Sequence, residues 1–195
     1  MASADSYFIK RSLMIALNEC GDTGVIVNKE DTCFLALVDV LGHGKDACDL
    51  ADLIRDFLTE HHEEELTPLL QALHEHIKGT RGAVAAVGRL NTVTGELRHA
   101  GVGNITTRIF GANPFRFLPK DGVIGYMMPR PIEQTFHLAH RDVLMMYSDG
   151  VKTHFDLHDC PDLLLGDARD IAEKTLRTFG KNDDDASCLV LRYVK

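Results

Sequence analysis

The stretch from Gly82 to Ala139 constrains this chain most. It reads as one strand after another: Ala83–Leu90, Glu96–Val102, Ile105–Phe110, Phe115–Pro119 and Glu133–Ala139. The breaks carry turn residues at Thr94-Gly95, Gly111–Pro114 and Lys120–Gly122. Connections this short cannot contain crossover helices, so the sheets are antiparallel. Tyr7–Leu17 predicts an earlier strand, and Gly24–Asn28 and Cys33–Val38 predict a hairpin closed by Lys29–Thr32. Val143–Tyr147 and Ser187–Val194 complete the strand set.

Helical spacing enters in two blocks. After Gly44, the residues Ala47, Leu50, Ala51, Ile54, Phe57 and Leu58 recur at steps of three and four. A second helix is expected with Thr67 as N-cap, Pro68 in the first position, and Leu69, Leu70, Leu73 and Ile77 on one face before Gly79. A third spans Asp167–Phe179, with Gly180 past its end. Cys33–Val38 and Val143–Tyr147 are continuously apolar, as strands covered on both faces are. The expected fold is α+β: a four-layer α/β/β/α sandwich of two antiparallel sheets flanked by helices. No repeat or low-complexity linker divides the chain, and residues 1–195 read as a single domain with no regulatory module.

The formal net charge of -8, with no Lys/Arg-rich run, argues against nucleic acid as a partner. No apolar run is long enough to span a bilayer. The five cysteines Cys20, Cys33, Cys48, Cys160 and Cys188 contain no C-x-x-C pair and predict reduced thiols in a cytoplasmic protein; a monomer is expected. His154-x3-His158-x-Cys160 has zinc-ligand types but lacks a fourth ligand, so a surface loop is the preferred reading.

Of the 29 acidic residues, 19 are aspartate. Asp46, Asp49, Asp52 and Asp56 are expected to complement the dipole of the first helix, and Asp162, Asp167 and Asp170 that of the last. Four others fall at strand ends. Asp22 precedes Gly24–Asn28, Asp39 ends Cys33–Val38, Asp149 follows Val143–Tyr147, and Asp184, within Asp183-Asp184-Asp185, precedes the last strand. Antiparallel pairing can gather such ends at one rim. Crowded carboxylates need cations, and all-oxygen ligation favours Mg²⁺ or Mn²⁺.

The local sequences come in a distinctive order: Gly21-Asp22, Asp39-Val40-Leu41-Gly42-His43-Gly44, Ala100-Gly101-Val102-Gly103-Asn104, Ser148-Asp149-Gly150 and Asp184-Asp185-Ala186-Ser187. The ordered set resembles the metal-dependent protein phosphatases of type 2C. It is most similar to their small bacterial branch of sporulation and general-stress serine phosphatases, and within it to stressosome feedback phosphatases. The resemblance implies a centre of two Mn²⁺ or Mg²⁺ ions. In it Asp39 and the carbonyl of Val40 serve as ligands, Asp149 and Asp184 hold the second ion, and Asp22 stands beside the first. Asp185 is an alternative to Asp184. His43 is either a proton-transfer or supporting group or a hydrogen-bonded histidine of the turn. The resemblance further implies hydrolysis of phosphoserine or phosphothreonine by a metal-activated water, with phosphorylated STAS-domain scaffold or antagonist proteins as partners. Val102 stands where histidine is common in the family, Ser187 replaces threonine, and the role of Lys10-Arg11 stays open. The rivals are a non-catalytic phosphoprotein-binding relative and a two-metal nuclease, the latter disfavoured by the acidic surface.

Overall fold

The computed structural model describes residues 3–12 and 19–195. Its first sheet contains β1 (Ser3–Arg11), β6 (Thr106–Phe110), β7 (Phe115–Phe117), β9 (Val143–Tyr147) and β10 (Ala186–Val194). The second contains β2 (Asp22–Asn28), β3 (Thr32–Val40), β4 (Ala83–Asn91), β5 (Glu96–Val102) and β8 (Gln134–His137). The orders are β1-β10-β9-β6-β7 and β2-β3-β4-β5-β8, antiparallel throughout. The helices are α1 (Lys45–Glu60), α2 (Leu66–His76) and α3 (Ala168–Phe179).

Period-two alternation builds the layers. On β3, Cys33, Leu35 and Leu37 point into the space between the sheets, where they meet Leu97, Met146, Leu189 and Tyr193. Phe34, Ala36, Val38 and Val40 point the other way and are covered by Ala47, Ala51 and Ile54 of α1 and Leu69, Leu70 and Leu73 of α2. On the other sheet, Val143, Met145 and Tyr147 of β9 lie under Ile171, Ala172 and Leu176 of α3. Both middle layers are thus apolar on both faces, which is why Cys33–Val38 and Val143–Tyr147 carry no polar alternation. The expected α/β/β/α sandwich is the observed one.

Several boundaries differ from expectation, each for a local reason. The first strand is Ser3–Arg11 rather than Tyr7–Leu17, because it pairs along the whole of β10, from Ser3 with Val194 to Arg11 with Ala186. Residues 13–17 of the expected strand lie outside the described residues. Helix α2 starts at Leu66 with Glu65 as N-cap, not at Pro68 after Thr67. Leu66 is fully buried and belongs to the stripe of Leu69, Leu70 and Leu73, so the helix extends to include it. Pro68 still falls in the first turn, where its missing N–H costs nothing. Only Asp46 of the α1 acids lies in the first turn. Asp49 pairs with Lys45, Asp52 and Asp56 pair with Arg55, and Asp162 pairs with Lys174. Asp167 and Asp170 do form a reciprocal capping box on α3.

Leu37→Ala in the inter-sheet core is expected to lose about 2–5 kcal/mol of stability. Leu53→Ala, at a position 45% exposed on α1, should stay within about 0.5 kcal/mol. Urea denaturation of the two variants checks this; equal losses would contradict the assignment of the central core.

Candidate functional site

The register of the hairpin places Asp22 directly opposite Asp39. The exit of β9 and the entry of β10 are tied beside them: the Ser148 amide donates to the Ser187 carbonyl at 3.1 Å, and the Ser187 amide donates to Ser148 Oγ at 2.9 Å. Four distant segments therefore end at one rim. Two glycine requirements hold them there. Gly42, in the turn from β3 to α1, has φ 85°, and a Cβ on it would sit 2.9 Å from Nη1 of Arg81. That guanidinium donates to the Leu41 carbonyl at 3.2 Å and lies 3.6 Å from the Asp46 carboxylate, bracing the turn. Gly150 is pressed so closely on the 185–186 backbone that a Cβ would fall 1.8 Å from the Asp185 carbonyl oxygen.

The rim encloses a cavity of about 520 Å³, lined by Asp39, Val40, His43, Asn104, Asp149 and Asp184 among others. Asp39 is half-buried, and no described side chain donates to its carboxyl. Asp149 Oδ2 accepts from Asn104 Nδ2 at 2.9 Å. Asp184 is exposed, and its Oδ1 accepts from the Asp185 amide at 2.9 Å. Asp185 is buried and accepts the Gly21 amide at 2.9 Å. This arrangement sets Asp184 toward the cavity and ties one oxygen of Asp185 into the rim's backbone. Asp22 is 1% exposed and lies behind Asp39 rather than on the cavity wall. Its Oδ2 accepts from Ser148 Oγ at 2.7 Å. His43 is exposed on the wall. Lys10 donates to the Asp22 backbone carbonyl at 2.8 Å and Arg11 to that of Lys181, so both basic residues of β1 hold backbone.

One lining residue escaped the sequence reading. Asp121 sits in the loop 120–122, and a lone aspartate there carries only the signal of an ordinary turn. Asn104 was visible only as part of a motif; its partner Asp149 became apparent in the fold.

The carboxyl groups are strongly perturbed. Burial, then the charges of Asp22, Asp149, Asp184 and Asp185, push Asp39 up to about 9. Burial raises Asp22 to about 6 against the hydrogen bond from Ser148, and Asp185 and Asp149 add to the rise. Asp184 is raised by burial and by Asp149. Among the described residues, none of Asp22, Asp39, Asp149 and Asp184 is in an ion pair. Also among the described residues, no three His, Cys, Asp or Glu side chains stand close enough to hold an ion as they are, at the rim or at His154, His158 and Cys160. Cys160 Sγ instead lies 3.2 Å from Asp162 Oδ1. The donor set at the rim is all oxygen, and its uncompensated carboxyls suit a hard divalent cation.

A four-layer sandwich with an acid-lined rim between its sheets is the fold of the PP2C-type phosphatases. Residues 29–194 match the family described as Stage II sporulation protein E (SpoIIE), and the chain belongs to that family. It is 24% identical over 146 residues to the phosphoserine phosphatase RsbX of Bacillus subtilis (strain 168), covering 74% of this chain and 70% of that protein. A solved chain from "The bacterial stressosome: a modular system that has been adapted to control secondary messenger signaling" superposes with a TM-score of 0.88 at 27% identity, covering 97% of this chain and 100% of the other. RsbX in complex with magnesium superposes with a TM-score of 0.84 at 18% identity, over 97% and 95% of the two chains.

The raised carboxyls fix the sign of a pH effect. Asp22 and Asp39 hold protons more tightly folded than unfolded, so their contribution to stability is complete below the ordinary Asp value and is lost as pH rises through about 6 and about 9. Each such group costs up to about 1.4 kcal/mol per pH unit across its window. In EDTA, thermal stability is expected to fall between pH 5 and pH 9, and Asp39→Asn to flatten the fall. A pH-independent melting temperature in both proteins would contradict the electrostatics of the rim.

Proposed function

We propose that this chain is a metal-dependent serine/threonine protein phosphatase. Its substrate is phosphoserine or phosphothreonine on a cytoplasmic stress-signalling protein, a phosphorylated STAS-domain scaffold or antagonist of a bacterial stressosome. The observation that carries this reading is the convergence of Asp39, Asp149 and Asp184 on one cavity, with none of them in an ion pair among the described residues. SpoIIE family membership and the likeness to RsbX support the phosphatase reading, and the stressosome relative supports the substrate class. Among the described residues no helix is long and apolar enough to cross a membrane.

In this reading Asp39, the Val40 carbonyl, Asp149 and Asp184 hold two Mn²⁺ or Mg²⁺ ions, and Asp22 acts from behind Asp39. When bound, such ions supply a water of lowered pKa and neutralise the phosphoryl charge of an in-line displacement. The protein's own groups prepare the cage. Asn104 fixes one oxygen of Asp149, Ser148 fixes Asp22, and Asp185 anchors the Gly21 amide at the start of β2. Each hydrogen bond limits the rotamers a ligand can adopt, as the groups that orient metal ligands commonly do. His43, on the wall of the cavity, gives a proton to the departing serine oxygen. A p-nitrophenolate leaving group needs no such proton.

The test is turnover of p-nitrophenyl phosphate and of a phosphoserine peptide with Mn²⁺, with Mg²⁺ and with EDTA. Activity is expected with the cations and absent in EDTA. Asp39→Ala should lose more than about a hundredfold in kcat, as removal of a transition-state electrostatic contact does. His43→Gln is expected to cost about 10²-fold on the phosphopeptide, within the range for general acid catalysis, and less on p-nitrophenyl phosphate. Turnover that survives EDTA would contradict the metal centre. Phosphoprotein binding without turnover would establish the non-catalytic rival.

A further inference from the structure

The outer face of the first sheet, beside α3, has a second concavity of about 530 Å³ that the carboxylate rim does not use. Two arginines lie in it. Arg108 on β6 and Arg116 on β7 are direct cross-strand partners. Phe117 beside Arg116 points into the space between the sheets, which leaves Arg116 on the outer face with Arg108. The Arg108 guanidinium stacks 4.5 Å from the ring centre of Phe110 and donates to the Phe155 carbonyl at 2.8 Å. Arg116 is exposed and reaches Thr106 Oγ1 at 3.4 Å.

Like charges directly opposite in a sheet repel. Among the described residues neither guanidinium is in an ion pair, in a chain with 29 acidic residues against 21 Lys and Arg. The nearby wall contains Asp156 and Asp159, and each turns a carboxylate oxygen to the loop's own amides. Asp159 Oδ2 accepts from the Asp156 amide at 2.8 Å, and Asp156 Oδ1 from the Leu157 amide at 2.6 Å. The arginine pair thus faces an open groove with donors for an anion from outside the chain.

Position indicates which anion. Thr106, which Arg116 touches, is two residues from Asn104, the residue that holds Asp149 at the rim. Asn104 lies two residues before β6 and Arg108 is on β6, so at about 3.3 Å per extended residue the two are at most about 13 Å apart, within the reach of roughly four residues of extended peptide. Guanidinium forks match carboxylates in a bidentate way. We propose that Arg108 and Arg116 dock aspartate or glutamate side chains of the phosphoprotein substrate, about four residues from the phosphorylated position. This rests on the phosphatase reading above and adds to it a substrate class: acidic segments around the phosphoserine.

Three phosphoserine peptides of one length test the proposal, with glutamate, glutamine or lysine three to five residues from the phosphoserine on both sides. The native chain is expected to turn over the glutamate peptide with a kcat/KM about tenfold above the glutamine peptide, the size of one charge-assisted hydrogen bond. Arg116→Gln should bring the ratio closer to one, since one of the two guanidinium contacts is then absent. Arg116→Glu should favour the lysine peptide, a reversal that a merely structural role would not produce. Equal turnover of the glutamate and glutamine peptides by the native chain, or a preference undiminished by Arg116→Gln, would overturn the docking site. A labelled glutamate peptide without phosphoserine, followed by fluorescence anisotropy in EDTA, separates the two claims. It should bind the native chain, bind Arg116→Glu more weakly, and be released by salt. Binding that follows this pattern in a chain with no phosphatase activity would sink the catalytic reading alone. Turnover of p-nitrophenyl phosphate with no binding and no preference would sink the docking alone.

Discussion

Carboxyl groups gathered and buried at one rim hold their protons against desolvation first and one another's charge second, and the segments at the rim of this sandwich meet under that constraint. Asp39 stands opposite Asp22 because the β2–β3 register requires it, and Asp149 and Asp184 close in because β9 and β10 are neighbours. The chain maintains this crowding at a cost. Asp39 is pushed up to about 9 and Asp22 to about 6, chiefly by burial. A rim that served only structure would be relieved by a lysine or arginine, yet Lys10 and Arg11 hold backbone carbonyls instead. In the proposed reading, a divalent cation takes the place of the protons that these raised carboxyls hold.

The sandwich makes such a site affordable. Middle strands apolar on both faces need no polar groups of their own, and the inter-sheet core of Leu35, Leu37, Met146 and Leu189 provides a rigid base. The close approaches at the rim fall at strand ends, where Gly42 takes a left-handed conformation and Gly150 admits the 185–186 backbone. The hydrogen bonds of Ser148, Asn104 and Asp185 then fix side chains that repulsion would otherwise splay.

Much of this was legible in the sequence, for identifiable reasons. Continuous apolar runs at Cys33–Val38 and Val143–Tyr147 announce strands covered on both faces, and the order of the Asp-bearing motifs announces the rim. Features set by pairing partners were less legible. The true start of β1 depends on β10, and the inclusion of Leu66 in α2 depends on the stripe it joins. The burial of Asp22 behind Asp39 follows from the sheet and not from its neighbours in the chain. Asp121 and the Arg108–Arg116 pair are brought to their cavities by loops and register alone, so no local motif could reveal them. Asp49, Asp52 and Asp56 of α1 answer to Lys45 and Arg55 more than to the helix dipole, since long basic side chains adjacent or one turn away reach them first.

The most direct test of the central claim, that the crowded rim exchanges protons for a divalent cation, is calorimetric titration of Mn²⁺ into EDTA-stripped protein at pH 7 in buffers of different ionisation enthalpy. Binding is expected to release about one proton, because burial and neighbouring charges push Asp39 up to about 9, and in the proposed reading it gives up that proton to ligate. Asp39→Asn should abolish both the release and most of the affinity. Absence of Mn²⁺ binding, or binding without proton release that is indifferent to Asp39→Asn, would contradict the account.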